Sequence, residues 1–107
     1  MHVQLIQYTH EGDIDAFKQG AEQLAPTIAT LDGLHAKFWL QTDGRRCGGV
    51  YLWRDRHAAN AYEHGELFTT AISNNPDVRD LTIARYGLWT APTAVTNGIP
   101  RAETTRR

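Results

Sequence analysis

The first residues alternate in the manner of a strand. Over residues 2–8, Val3, Leu5 and Gln7 fall on one face and Gln4, Ile6 and Tyr8 on the other. The period then changes. Ile14, Phe17, Ala21, Leu24, Ile28 and Leu31 recur three and four positions apart, which predicts one apolar stripe along a helix. Asp13 stands where an N-cap carboxylate can accept from the orphan amides of the first turn. Pro26 has no N–H to donate, so a kink or a separate last turn is expected there. Residues 35–42 and 47–54 predict two strands, antiparallel across the turn-forming stretch 43–46. Asp55 is a second N-cap candidate. Ala58, Ala61, Tyr62, Phe68 and Ile72 form a second helical stripe, interrupted at Gly65, and Asn74-Asn75-Pro76-Asp77 ends it. Alternation over residues 78–90 predicts the last strand. Residues 91–107 have no periodicity and are expected to be a tail, flexible or packed on a partner subunit, outside a domain of residues 1–90.

The order β-α-β-β-α-β predicts a ferredoxin-like α+β fold, with helices on one face of a four-stranded antiparallel sheet. Both faces of that sheet look apolar. Phe38, Leu40, Val50 and Leu52 share one face of the middle strands; Lys37, Trp39, Tyr51 and Trp53 share the other. The aliphatic set with Phe38 is expected beneath the helices, which leaves the tryptophans and Tyr51 outside. Large aromatic surface is costly in water, at about 25 cal/mol per Å². A homodimer through that sheet face is therefore expected.

Composition narrows the function classes. The chain has 107 residues, 41% hydrophobic and 21% charged, with a formal net charge of -1. This is one ordinary globular domain, with no basic surplus for nucleic acid and no apolar run for a membrane span. The single cysteine, Cys47, excludes an internal disulfide and fits a cytoplasmic location.

The run Gly48-Gly49-Val50-Tyr51-Leu52-Trp53-Arg54-Asp55, followed by Ala58-Ala59 and Ala61-Tyr62 and preceded by Lys37-Phe38-Trp39, resembles the dimeric α/β-barrel superfamily, within it the YdhR-type monooxygenase family. The resemblance in topology spans residues 1–90. It implies a homodimer whose sheets form a barrel, and a pocket between sheet and helices or at the barrel mouth. It also implies cofactor-independent oxygenation of a small aromatic or polyketide-like substrate, whose own enolate donates an electron to dioxygen. No cofactor is then expected. Such a site needs an apolar cavity, donors for the phenolate and a base.

On that footing Tyr62 is a catalytic candidate, with His35 and His64 as bases because histidine titrates near neutrality. Trp39, Tyr51 and Trp53 are expected as substrate-binding aromatic walls, Arg85 as an anion partner and Gln7 as a polar contact. Each also has a plainer reading. Tyr62 can be a packed helix residue, the aromatic trio an interface core, the histidines solvent-exposed and Arg85 half of an ion pair. A non-catalytic ligand-binding or stress-related module, or a cyclase or isomerase on the same scaffold, remain alternatives.

Other chemistries lack their residues. His57 and His64 lie two helical turns apart, about 10.5 Å along the axis, too far to share a metal. There is no HExxH, CxxC or phosphate-binding glycine pattern. Haem-degrading members of the superfamily carry an iron-ligating histidine about ten residues beyond a helix tryptophan. The matching positions here are Tyr62 and Ile72, and isoleucine cannot ligate iron.

Overall fold

The computed structural model describes residues 1–42 and 44–97. Four strands, β1 (His2–His10), β2 (Leu34–Gln41), β3 (Arg46–Trp53) and β4 (Val78–Gly87), form one antiparallel sheet in the order β2-β3-β1-β4. Helix α1 (Ile14–Ala29) links β1 to β2. Helix α2 (Arg56–Glu63), a short turn α3 (Glu66–Phe68) and a π-helical turn (Thr69–Ser73) link β3 to β4. This is the expected ferredoxin-like β-α-β-β-α-β arrangement. No helix among the described residues is long and apolar enough to cross a membrane.

The caps work as the residue types suggest. The Asp13 carboxylate accepts from the Ala16 amide at 3.1 Å and that of Asp55 from Ala58 at 2.8 Å, so each satisfies one orphan donor of its helix. Gly65 marks the break, with the second stripe continuing through Phe68 and Ile72 into the core. Pro26 does not split α1. It lies on the exposed side, close to the helix end, where the lost hydrogen bond is tolerated and the helix runs on to Ala29. Residues 90–95 also differ from the irregular tail expected there. They form a short helix, α4 (Thr90–Val95), with Pro92 in the first turn and the Thr93 hydroxyl donating to the Trp89 carbonyl at 2.6 Å. Residues 98–107 of the expected tail lie outside the described residues.

The largest correction concerns which face of the sheet the helices cover. β1 alternates strictly, with His2, Gln4, Ile6, Tyr8 and His10 buried. Its register with β3 pairs His2 with Trp53 and Gln4 with Tyr51, so both aromatics lie on the helix side. Trp53 is 1% exposed and Tyr51 4%, whereas Phe38 is 65% exposed. The expectation that Phe38, Leu40, Val50 and Leu52 sit beneath the helices is therefore inverted. Aromatic rings fill the wide gap between the sheet and its helices, and their polar tips find partners there. Tyr51, Trp53, Tyr62 and Phe68 form a chain of rings with centroids 5.1–5.9 Å apart. The open face keeps Val3, Leu5, Phe38, Leu40 and Val50.

The two adjacent glycines of β3 serve different ends. A Cβ on Gly48 would lie 2.0 Å from the Ile6 carbonyl oxygen, so the β1–β3 approach demands glycine. A Cβ on Gly49 would instead meet Lys37 Cε at 2.8 Å, the far part of a flexible side chain. Gly48→Ala is thus expected to lower unfolding stability by about 2–3 kcal/mol. Gly49→Ala should lower it by about half as much or less. Urea unfolding of the two variants measures this; equal losses would contradict the assignment.

Candidate active site

A cleft opens between the inward face of α1 and the sheet. Its volume is about 350 Å³. Small side chains on α1, Ala16, Gly20 and Ala21, leave the space that bulkier residues would fill. Lys37 and Trp39 from β2, Tyr51 from β3 and Tyr62 from α2 line it, together with Ile72 and Asn75. A second hollow of about 310 Å³ shares Tyr8, Phe17, Ala21 and Trp39 with it and extends along β2 to Gln41.

Two hydroxyls meet in this cleft. Tyr51 Oη and Tyr62 Oη lie 3.0 Å apart, one donating to the other. Burial pushes both phenols up from their ordinary range, so both stay protonated at neutral pH. In such a pair the accepting hydroxyl keeps its own O–H free to donate.

Behind the cleft a polar chain ties the elements together. Trp53 Nε1 donates to Gln4 Oε1 at 2.9 Å, and Gln4 Nε2 donates to Glu63 Oε2 at 2.7 Å. Arg85 Nε donates to the same Glu63 oxygen at 2.7 Å, and its Nη2 pairs with the other. Hydrogen bonding to Glu63 raises the Arg85 guanidinium further above its ordinary value. Gln4 is fully buried, so these bonds anchor α2, and Tyr62 with it, against β1, β3 and β4.

The expected site residues are thus sorted by geometry. Trp39, Tyr51 and Tyr62 come together in the cleft. Trp53 lies beneath Tyr62, held by Gln4, and does not line the cleft. Arg85 is engaged with Glu63 on α2. Gln7 is on the opposite, open face of the sheet. His35 is exposed on β2, and His64 is exposed at the end of α2 with Nδ1 2.9 Å from the Asn60 carbonyl oxygen. Neither histidine lines the cleft. Ile72, the position that the resemblance matches to a haem ligand, is buried in the core and carries no donor atom.

Lys37 is the residue that sequence reasoning passed over. Its Nζ lies 3.2 Å from the centroid of the Trp39 ring and 4.6 Å from that of Tyr51. Burial lowers its ammonium from the ordinary value to about 7. The signal was present in the strand pattern: Lys37 shares a face with Trp39, and its β3 neighbours on that face are Tyr51 and a glycine.

The sequence profile described as "Putative mono-oxygenase ydhR" matches residues 3–99. The chain belongs to this family. No curated protein matches it in sequence. The fold of this YdhR-family chain is similar to that of a "putative antibiotic biosynthesis monooxygenase" from Deinococcus radiodurans. The TM-score is 0.72 at 17% identity, over 85% of this chain and 95% of that one. It is also similar to SnoaB, a cofactor-independent oxygenase from Streptomyces nogalater, with a TM-score of 0.65 at 15% identity over 85% and 96% of the two chains.

The Lys37 environment has a consequence for stability. Between pH 7 and 8.5 the unfolded chain holds a proton on this lysine that the folded YdhR-family chain has begun to lose, so stability rises with pH. The expected gain across this window is about 1–2 kcal/mol, and it continues to grow until the unfolded lysine also titrates. Above this window Cys47 and the buried tyrosines act in the opposite sense, since burial raises them. Urea midpoints of wild type and Lys37→Met at the two pH values test this. An equal pH dependence in both would refute it.

Proposed function

We propose that this chain is a cofactor-independent monooxygenase acting on a small aromatic or polyketide-like substrate in the cleft between α1 and the sheet. The observation that carries the proposal is the Tyr51–Tyr62 hydroxyl pair, set in a largely aromatic and aliphatic cleft beside the Lys37 amine. Membership of the YdhR family and the likeness in fold to SnoaB point the same way. The chemistry needs no external reductant when the substrate is electron-rich. Conversion of a ring CH2 to a carbonyl consumes one dioxygen. One oxygen atom enters the C=O bond, the other leaves as water with the two hydrogens, and the substrate supplies the electrons. The protein's part is to exclude water, orient the ring and stabilise the anion from which the first electron leaves.

The assembly that suits this site is a homodimer formed through the open sheet face. Phe38 and Tyr86 are 65% and 57% exposed on that face beside Val3, Leu5 and Val50, apolar surface that a two-fold related sheet would bury. The buried free Cys47 accords with a cytoplasmic location.

Oxygen uptake with a panel of phenols, naphthols and anthrones, without flavin or metal, tests the reaction. Turnover is expected in wild type, with kcat lowered about tenfold to a hundredfold in Tyr62→Phe. Ligand binding without oxygen uptake across the panel would favour the non-catalytic binding module. For the assembly, sedimentation of a Leu5→Glu/Phe38→Glu variant should give a folded monomer. A dimer as stable as wild type would rule out the open face.

A further inference from the structure

Lys37 is placed unlike an ordinary strand lysine. Its side chain lies across β3 in the space that Gly49 leaves free, with Cε where a Cβ would otherwise crowd it. Its Nζ is held against Trp39 and Tyr51 and lines the same cleft as the Tyr51–Tyr62 pair. Among the described residues no carboxylate pairs with it: the ion pairs involve Arg54, Arg79 and Arg85. Desolvation favours the neutral amine there, while the two ring faces favour the ammonium. The two protonation states are thus brought close in energy. Among the described residues there is no charge that would settle the balance in favour of the ammonium.

We infer that Lys37 is the proton acceptor of the cleft and the counter-ion of its ligand, and that the ligand is a planar, acidic phenol or enol. The inference deepens the proposed oxygenase reading, on which its substrate class rests. In the step, the ligand O–H bond breaks and an Nζ–H bond forms. The O–H electron pair stays on the ligand oxygen as phenolate or enolate, so no oxidant or reductant is involved. The anion then faces an ammonium and the free O–H of the tyrosine pair in a site of low dielectric, where both interactions are strong. The tyrosines, held protonated by burial, act as donors, and Lys37 takes the role first expected of His35 or His64.

The test uses 4-nitrophenol, whose neutral and ionised forms absorb at different wavelengths, under anaerobic conditions so that oxygen chemistry plays no part. At about pH 8.5 the free ligand is anionic and Lys37 largely neutral, so binding to wild type should take up close to one proton. Calorimetry in buffers of different ionisation enthalpy counts that proton. Below pH 7 the bound ligand should still show the phenolate band. Lys37→Met should bind about tenfold or more weakly and lose the band. Lys37→Arg should keep the anion but take up no proton, because its guanidinium is already charged. Gly49→Ala, which displaces the Lys37 stem and keeps its charge, should fall between wild type and Lys37→Met. Thermal melts of each variant establish folding. Absence of binding or of a phenolate band in wild type, or an unchanged band in folded Lys37→Met, would overturn the assignment. Ionisation of 4-nitrophenol without oxygen uptake on any panel substrate would uphold Lys37 and refute the oxygenase reading. Oxygen uptake unaffected in Lys37→Met would do the reverse.

Discussion

A fully buried side-chain amide must find partners for its donors and its acceptor, or the fold loses about 1–3 kcal/mol for each polar atom left unpaired. Gln4 finds them on two different elements. It accepts from the Trp53 indole on β3 and donates to the Glu63 carboxylate on α2, which is in turn engaged by Arg85 on β4. Four elements are therefore held to one register by a single residue in the middle of β1. Tyr62 precedes Glu63 in the chain, so the same bonds that seat α2 also bring its hydroxyl to Tyr51. The site depends on Gln4 without Gln4 lining it.

This constraint also explains why the aromatic face lies inside. Judged by apolar area alone, the aliphatic residues with Phe38 are the natural choice beneath helices. Trp53 and Tyr51, however, carry an N–H and an O–H that are satisfied only from the helix side, by Gln4 and Tyr62. Phe38, Leu40 and Val50 have no polar tip and can be left for another apolar surface. The order of elements, both N-caps and the break at Gly65 were legible because they rest on local periodicity and short-range capping. The choice of face was not, because it rests on pairings between residues 49 and 11 positions apart in the chain.

The candidate site was legible to a similar extent. Trp39, Tyr51 and Tyr62 stood out as aromatics on strands and a helix that pack together. His35 and His64 were attractive for their titration range alone, and nothing in local sequence shows that neither lines the cleft. Lys37 looked like a routine strand lysine. Its character depends on Gly49 lying beside it on the next strand and on two rings that enclose its ammonium, which become visible only in the folded sheet.

On the cofactor-independent reading proposed above, the substrate supplies the electrons, and it does so as an anion. Buried tyrosines stabilise such an anion but do not create it, since burial holds their protons on. The cleft's donors and its amine thus divide the work between them. The most direct test of the central claim is a reaction under 18O-labelled dioxygen, free of flavin and metal, with an anthrone substrate and mass spectrometry of the product. The account predicts one labelled oxygen atom in the new carbonyl of the quinone in the presence of the enzyme, at a rate well above the uncatalysed background. Product oxygen derived from water, or a rate no higher than background, would contradict it.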